Sequence, residues 1–130
     1  FMALYNLQNQ FWVGNYAEAV TEAATVAATS DSVRIERDFY RMRAELELGR
    51  ASTVVDRSLP SALQAVQLMA AFRSGELAAE LVAQTLEEWL GDENTADNPL
   101  LQIAAATIYN RMGDWNKALV CLKSEATLEQ

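Results

Sequence analysis

The sequence predicts an all-α protein of about four antiparallel helical hairpins, arranged as a single domain over residues 1–130. Three observations lead there. Five glycines and two prolines in 130 residues leave little material for β-hairpin turns. Ala, Leu, Glu, Gln and Met, all good helix formers, fill most of the chain. Apolar side chains recur three and four residues apart, which is one face of a helix and not the alternation of a strand.

Leu4, Leu7 and Phe11 mark the inward face of a first helix that Gly14 stops. A second helix starts near Tyr16 and carries Ala19, Val20, Ala23, Ala24 and Ala27, small side chains that let two helices approach closely. Ser30 to Ser32 offer N-cap oxygens to a third helix with Val33, Phe39, Met42 and Leu46 turned inward, ending at Gly49. A short helix is expected through Val54 and Val55 until Pro60 halts it. Leu63, Val66, Leu68, Met69 and Phe72 predict a helix up to Gly75, and Leu77, Leu81, Val82, Leu86 and Trp89 another up to Gly91. DENTADN, residues 92–98, reads as a loop. Asn98 and Pro99 form an N-cap and first-turn pair for a helix running to Gly113, and Trp115, Ala118, Leu119 and Leu122 carry the last helix.

Composition excludes several functions. At 51% hydrophobic, a chain of this length buries a core without disulfides or metals. A net charge of −8 repels phosphate backbones and anionic lipid, so no nucleic acid is expected as partner. The absence of histidine removes the commonest general base and metal ligand, and with them most hydrolase chemistry. No metal, cofactor or catalytic residue is expected. Cys121, the single cysteine, reads as a small buried hydrophobe in a reducing compartment. No apolar run reaches the roughly 20 residues needed to span a bilayer, and FMALYNLQNQF lacks a basic n-region and cleavage site. The expectation is a cytoplasmic protein with no direct membrane insertion.

Gly14, Gly49, Gly75 and Gly113 lie 35, 26 and 38 residues apart and align GNYAEAV, ELGRASTVV, SGELAAELV and GDWNKALVCL. The first and last resemble the centre of a tetratricopeptide repeat. There a glycine ends helix A, an aromatic follows two residues on, and a small residue stands five after the glycine. Tyr16 with Ala19, one residue tight, and Trp115 with Ala118 take those places, whereas Val54 and Glu80 fill the small-residue slot of the two middle repeats. Each hairpin of such a repeat has an apolar face that stacking neighbours cover, which makes a solenoid suited to holding other proteins.

A narrower resemblance rests on five segments in order: FWVGNYAEAVTEA, IERD, ALQAVQLMAAF, LEEWL and LLQIAAATIYNRMGDWNKAL. Together they resemble the coatomer epsilon subunit, in its N-terminal portion. That resemblance implies a structural, non-enzymatic subunit of the COPI vesicle coat, cytoplasmic and peripheral on Golgi membranes. It implies binding to the C-terminal domain of the coatomer alpha subunit, association with other coatomer subunits indirectly, and a role in Golgi-to-ER retrograde and intra-Golgi transport. The family's further repeats lie beyond Gln130, so the resemblance also implies a fragment.

Because helix A lines the concave face in this repeat class, the expected partner-binding residues are Gln8, Trp12, Arg43, Glu47, Met69, Arg73, Thr107, Asn110 and Arg111. Trp12 is the foremost candidate, since aromatic side chains dominate interface energetics, and Trp115 is expected in the core. The IERD charges read either as paired surface charge or as a contact patch, and the acidic run Glu87, Glu88, Asp92, Glu93 as solvated surface. Two other functions compete. One is a generic tetratricopeptide adaptor or co-chaperone gripping an acidic peptide through Arg43, Arg73 and Arg111. The other is an accessory domain of an enzyme, for which only the acidic clusters speak.

Overall fold

The computed structural model describes residues 2–129, with side chains through Leu122. Seven helices occupy that span: α1 (Met2–Trp12), α2 (Tyr16–Ala23), α3 (Asp31–Glu47), α4 (Ser61–Ser74), α5 (Ala79–Gly91), α6 (Pro99–Arg111) and α7 (Trp115–Glu129). No strand occurs among the described residues. The protein is all-α, as the periodicity predicts. The chain divides into two compact units, Phe1–Ser52 and Thr53–Gln130.

The four aligned glycines, and no other described residue, have positive φ, between 76° and 88°. Each closes a helix in the same way. The glycine N–H donates to the carbonyl three residues back: Gly14 to Phe11, Gly49 to Leu46, Gly75 to Phe72 and Gly113 to Asn110. The next N–H donates five back: Asn15 to Gln10 at 2.8 Å, Arg50 to Glu45 at 2.8 Å, Glu76 to Ala71 at 3.0 Å and Asp114 to Tyr109 at 2.9 Å. This is the Schellman closure, whose left-handed residue is cheap only for glycine. The glycine alignment therefore marks a repeated helix ending, at α1, α3, α4 and α6, although no second helix follows Gly49 before α4.

In the first unit α1, α2 and α3 pack on one another around Leu7, Phe11, Ala19, Ala23, Phe39, Tyr40 and Ala44. Ala19 is fully buried, which is what the small-residue slot requires. Ser30 caps α3 as expected, its Oγ accepting the Val33 N–H at 3.2 Å. Ala24 and Ala27 lie beyond the end of α2 and are exposed, and Met42 and Leu46 are only half-buried. The core face of α3 runs through Phe39, Tyr40, Arg43 and Ala44.

In the second unit α4 and α6 pack together, with α5 against both and α7 on α6. Alanines at 62, 65, 70 and 71 of α4 and at 104, 105 and 106 of α6 are buried together with Leu63, Val66, Met69, Leu101 and Ile108. Burying each large aliphatic side chain contributes roughly 1.5–3 kcal/mol, and the alanines let the backbones come close enough for those chains to interlock. Asn98 caps α6, accepting N–H groups of Leu100 and Leu101 at 3.1 and 3.2 Å, with Pro99 in the first turn.

Two expectations fail. No helix forms through Val54 and Val55: residues 51–55 carry no regular secondary structure. Thr53, Val54 and Val55 are β-branched, and the Asp56 carboxylate accepts from the N–H and hydroxyl of Ser58 at 2.9 and 2.7 Å, so local bonds compete with a helix. The segment is tied down by Gln67 of α4, whose buried Oε1 accepts the Asp56 N–H at 2.7 Å. Trp115, expected in the core, is 70% exposed. The inner face of α7 is Ala118 with Cys121, and Trp115, Leu119 and Leu122 recur on the other side at three- and four-residue spacing.

Candidate partner-binding surface

The C-terminal end of α1, the start of α2 and the middle of α3 bring six side chains together. Phe11 lies at the centre, with ring centroids 5.0 Å from Trp12, 5.7 Å from Tyr16 and 5.6 Å from Tyr40. Phe39 adjoins Tyr40 at 5.3 Å, edge to face. The Arg43 guanidinium sits 4.7 Å from the Phe11 centroid, 5.7 Å from Trp12 and 5.9 Å from Phe39. A guanidinium buried to this extent loses hydration, and the ring faces offset part of that loss.

Trp12 is the exposed member. It is 58% exposed although it packs edge-on against Phe11 and Tyr40, with Arg43 beside it. An indole held on one side by rings and open on the other offers apolar area whose rotamer is already restricted, so less entropy is lost when a partner covers it. Met2, Tyr5 and Val13 of the same region are also exposed. Met2, Tyr5, Asn9 and Trp12 follow three- and four-residue spacing, so the outer face of α1 carries exposed apolar side chains interrupted by the polar Asn9.

The other predicted residues fare differently. Gln8 donates to Glu36 Oε1 at 2.7 Å, joining α1 to α3, and burial raises the Glu36 carboxyl above its usual range against the lowering effect of that bond. Arg43 is 8% exposed and lies beneath the aromatic cluster, so it supports Trp12 without presenting a charge. Glu47, one turn further along α3, is half-buried. Met69 is a correction: it is fully buried at the α4 core and offers nothing to a partner. Arg73 is half-buried at the end of α4. Thr107 spends its hydroxyl on the Ile103 carbonyl at 2.9 Å, whereas Asn110 and Arg111 are exposed at the end of α6. Within the first unit the structure brings Trp12 and Arg43 into one packed cluster, while Gln8 is tied to Glu36. Tyr40, three residues before Arg43, was not singled out, although that spacing places it on the same helix face.

The IERD charges are paired: Arg37 with Asp38 at 3.0 Å, Arg41 with Glu45 at 2.7 Å, and Arg34 with Asp31 at 2.7 Å. The basic clamp of an adaptor is weakened in the same stroke, since Arg43 is buried. Glu87 of the acidic run meets Lys117 Nζ at 2.9 Å, linking α5 to α7, and that contact raises the Lys117 ammonium pKa. Burial pushes the Cys121 thiol up, which disfavours the reactive thiolate. No group of three or more His, Cys, Asp or Glu side chains that could hold a metal occurs among the described residues. No helix among them is long and apolar enough to cross a membrane.

Repeated helix–glycine closures, buried alanines where helices pair and an exposed aromatic anchor define the class: a helical-repeat scaffold. Over residues 2–130 the chain matches the family described as coatomer epsilon subunit, and it belongs to that family. It is 33% identical to coatomer subunit epsilon-1 of Oryza sativa subsp. japonica, over 97% of this chain and 44% of that protein. It is 31% identical to coatomer subunit epsilon-1 of Arabidopsis thaliana over the same shares. Against coatomer subunit epsilon-2 of Oryza sativa subsp. japonica the identity is 32%, over 97% of this chain and 45% of the relative. The chain thus spans less than half the length of the curated relatives it matches. No solved structure gives a significant match.

Proposed function

We propose that the chain acts as a non-enzymatic structural subunit of the COPI vesicle coat and binds the C-terminal domain of the coatomer alpha subunit. On this reading it works in Golgi-to-ER retrograde and intra-Golgi transport, is cytoplasmic, and reaches Golgi membranes and coated vesicles through the coat. The observation that carries the reading is the family match across residues 2–130. Trp12, 58% exposed over the packed ring cluster, supports a role in holding protein, because a preorganised aromatic is the commonest kind of interface anchor. Other coatomer subunits associate indirectly, through the alpha subunit.

The test is co-purification of the tagged chain from a eukaryotic lysate with identification of what accompanies it. The alpha subunit is expected among the stoichiometric partners. Its absence, with other proteins recovered in its place, contradicts the assignment.

A further inference from the structure

The second unit holds a cleft that the coat reading does not use. Its volume is about 450 Å³, within the range of ligand-sized sites. One wall is the segment through Thr53, Val54 and Val55, which takes the place of the missing helix. The other is α5, which contributes Leu81, Gln84, Thr85 and Glu88 at helical spacing. Leu77 and Leu81 add to the apolar lining of Val54, Val55 and Leu68, with Leu81 54% exposed.

The charges in the cleft point to the occupant. Glu76 and Glu88 both line it and neither forms an ion pair with a basic side chain among the described residues, while Arg57 is the basic residue of the lining. The cleft is therefore net acidic in a chain of charge −8. Leu81 and Glu88 are seven residues apart on α5, which at ~1.5 Å per residue puts them roughly 10 Å apart along the axis. An extended chain covers that span in about three residues at ~3.3 Å each.

We propose that this cleft docks a partner segment that sets an apolar side chain against Leu81 and a lysine or arginine against Glu88, about three positions further on. The apolar contact supplies affinity and the carboxylates select against acidic sequences, which places cationic apolar peptides as the ligand class. The inference does not depend on the coat assignment, because Trp12 lies in the other unit.

The probe is a short fluorescein-labelled peptide with leucine and arginine three positions apart, read by fluorescence anisotropy. The control replaces its arginine with glutamate. The arginine peptide is expected to bind, to weaken as salt rises, and to beat the control by about tenfold or more. Glu88→Gln is expected to weaken it several-fold, and Leu81→Asp and Gln84→Arg, both at exposed positions, to abolish it while helical circular dichroism is unchanged. No binding of the arginine peptide, equal binding of the glutamate control, or undiminished binding by Leu81→Asp and Gln84→Arg overturns the proposal.

Discussion

Ala19 and Ala118 show how much one methyl-sized side chain decides. Both stand at the small-residue slot, at 0% and 6% exposure, where the second helix of a hairpin meets the first. Leucine there overpacks a contact with no spare volume, so Ala19→Leu and Ala118→Leu should each cost ~1–3 kcal/mol in thermal or chemical unfolding. The glycines give a second contrast. A Cβ built on Gly75 meets nothing within 4 Å, so the cost of Gly75→Ala comes from its left-handed φ of 83° and should be ~1–2 kcal/mol. Gly91 has equal space and no positive φ, so Gly91→Ala should be neutral or stabilising by up to ~1 kcal/mol. Equal losses at the two sites would contradict the Schellman reading. At Glu36 the sign follows from burial, which raises the folded pKa above 4.5 and so favours the neutral acid. Its contribution is full below the unfolded carboxylate's pKa and is lost as pH rises through the folded value. Glu36→Gln keeps an acceptor for Gln8 and should unfold at a higher temperature than the parent at pH 7, with the gap closing toward pH 4.

At the scale of the element, what could be read from the residues and what could not divide along one physical line. Helix ends were legible because Gly14, Gly49, Gly75, Gly113, Ser30 and Asn98 act locally, through φ and through capping bonds within the same turn. Residues 51–55 misled the reading, since two valines between turn residues fit a short apolar helix as well as an extended segment. The β-branched run, the Asp56–Ser58 bonds and the bond from the Asp56 N–H to Gln67, eleven residues on, together decide against the helix. The same line separates the site residues. Trp12 was legible, one residue past the Leu4, Leu7 and Phe11 face. Met69 was not, because α4 is apolar nearly all round and its sequence does not say which side a neighbour covers. Trp115 fails for the related reason that α7 turns Ala118 and Cys121 inward.

At the scale of the whole molecule, the residue that packs the core and the residue proposed to capture a partner differ. Met69→Ala removes a fully buried side chain and should cost ~2–5 kcal/mol of stability, measured by denaturant unfolding, with no direct effect on a partner. Trp12→Ala removes a side chain that is more than half exposed and should leave the fold nearly as stable as before. The five ordered segments carried the family, and the match over residues 2–130 agrees. Of the predicted set, Trp12 and Arg43 lie in one packed cluster.

The central claim is that this chain grips the alpha subunit of the coat through the α1–α3 aromatic cluster. The measurement that tests it most directly is a calorimetric titration of the chain with the purified C-terminal domain of the coatomer alpha subunit, run in parallel for Trp12→Ala. The account predicts saturable one-to-one binding by the parent and a loss of ~2 kcal/mol or more, roughly 30-fold in affinity, for the variant at unchanged helical content. No heat of binding from the parent contradicts the coat assignment, and equal affinity for parent and variant contradicts the placement of the grip at Trp12.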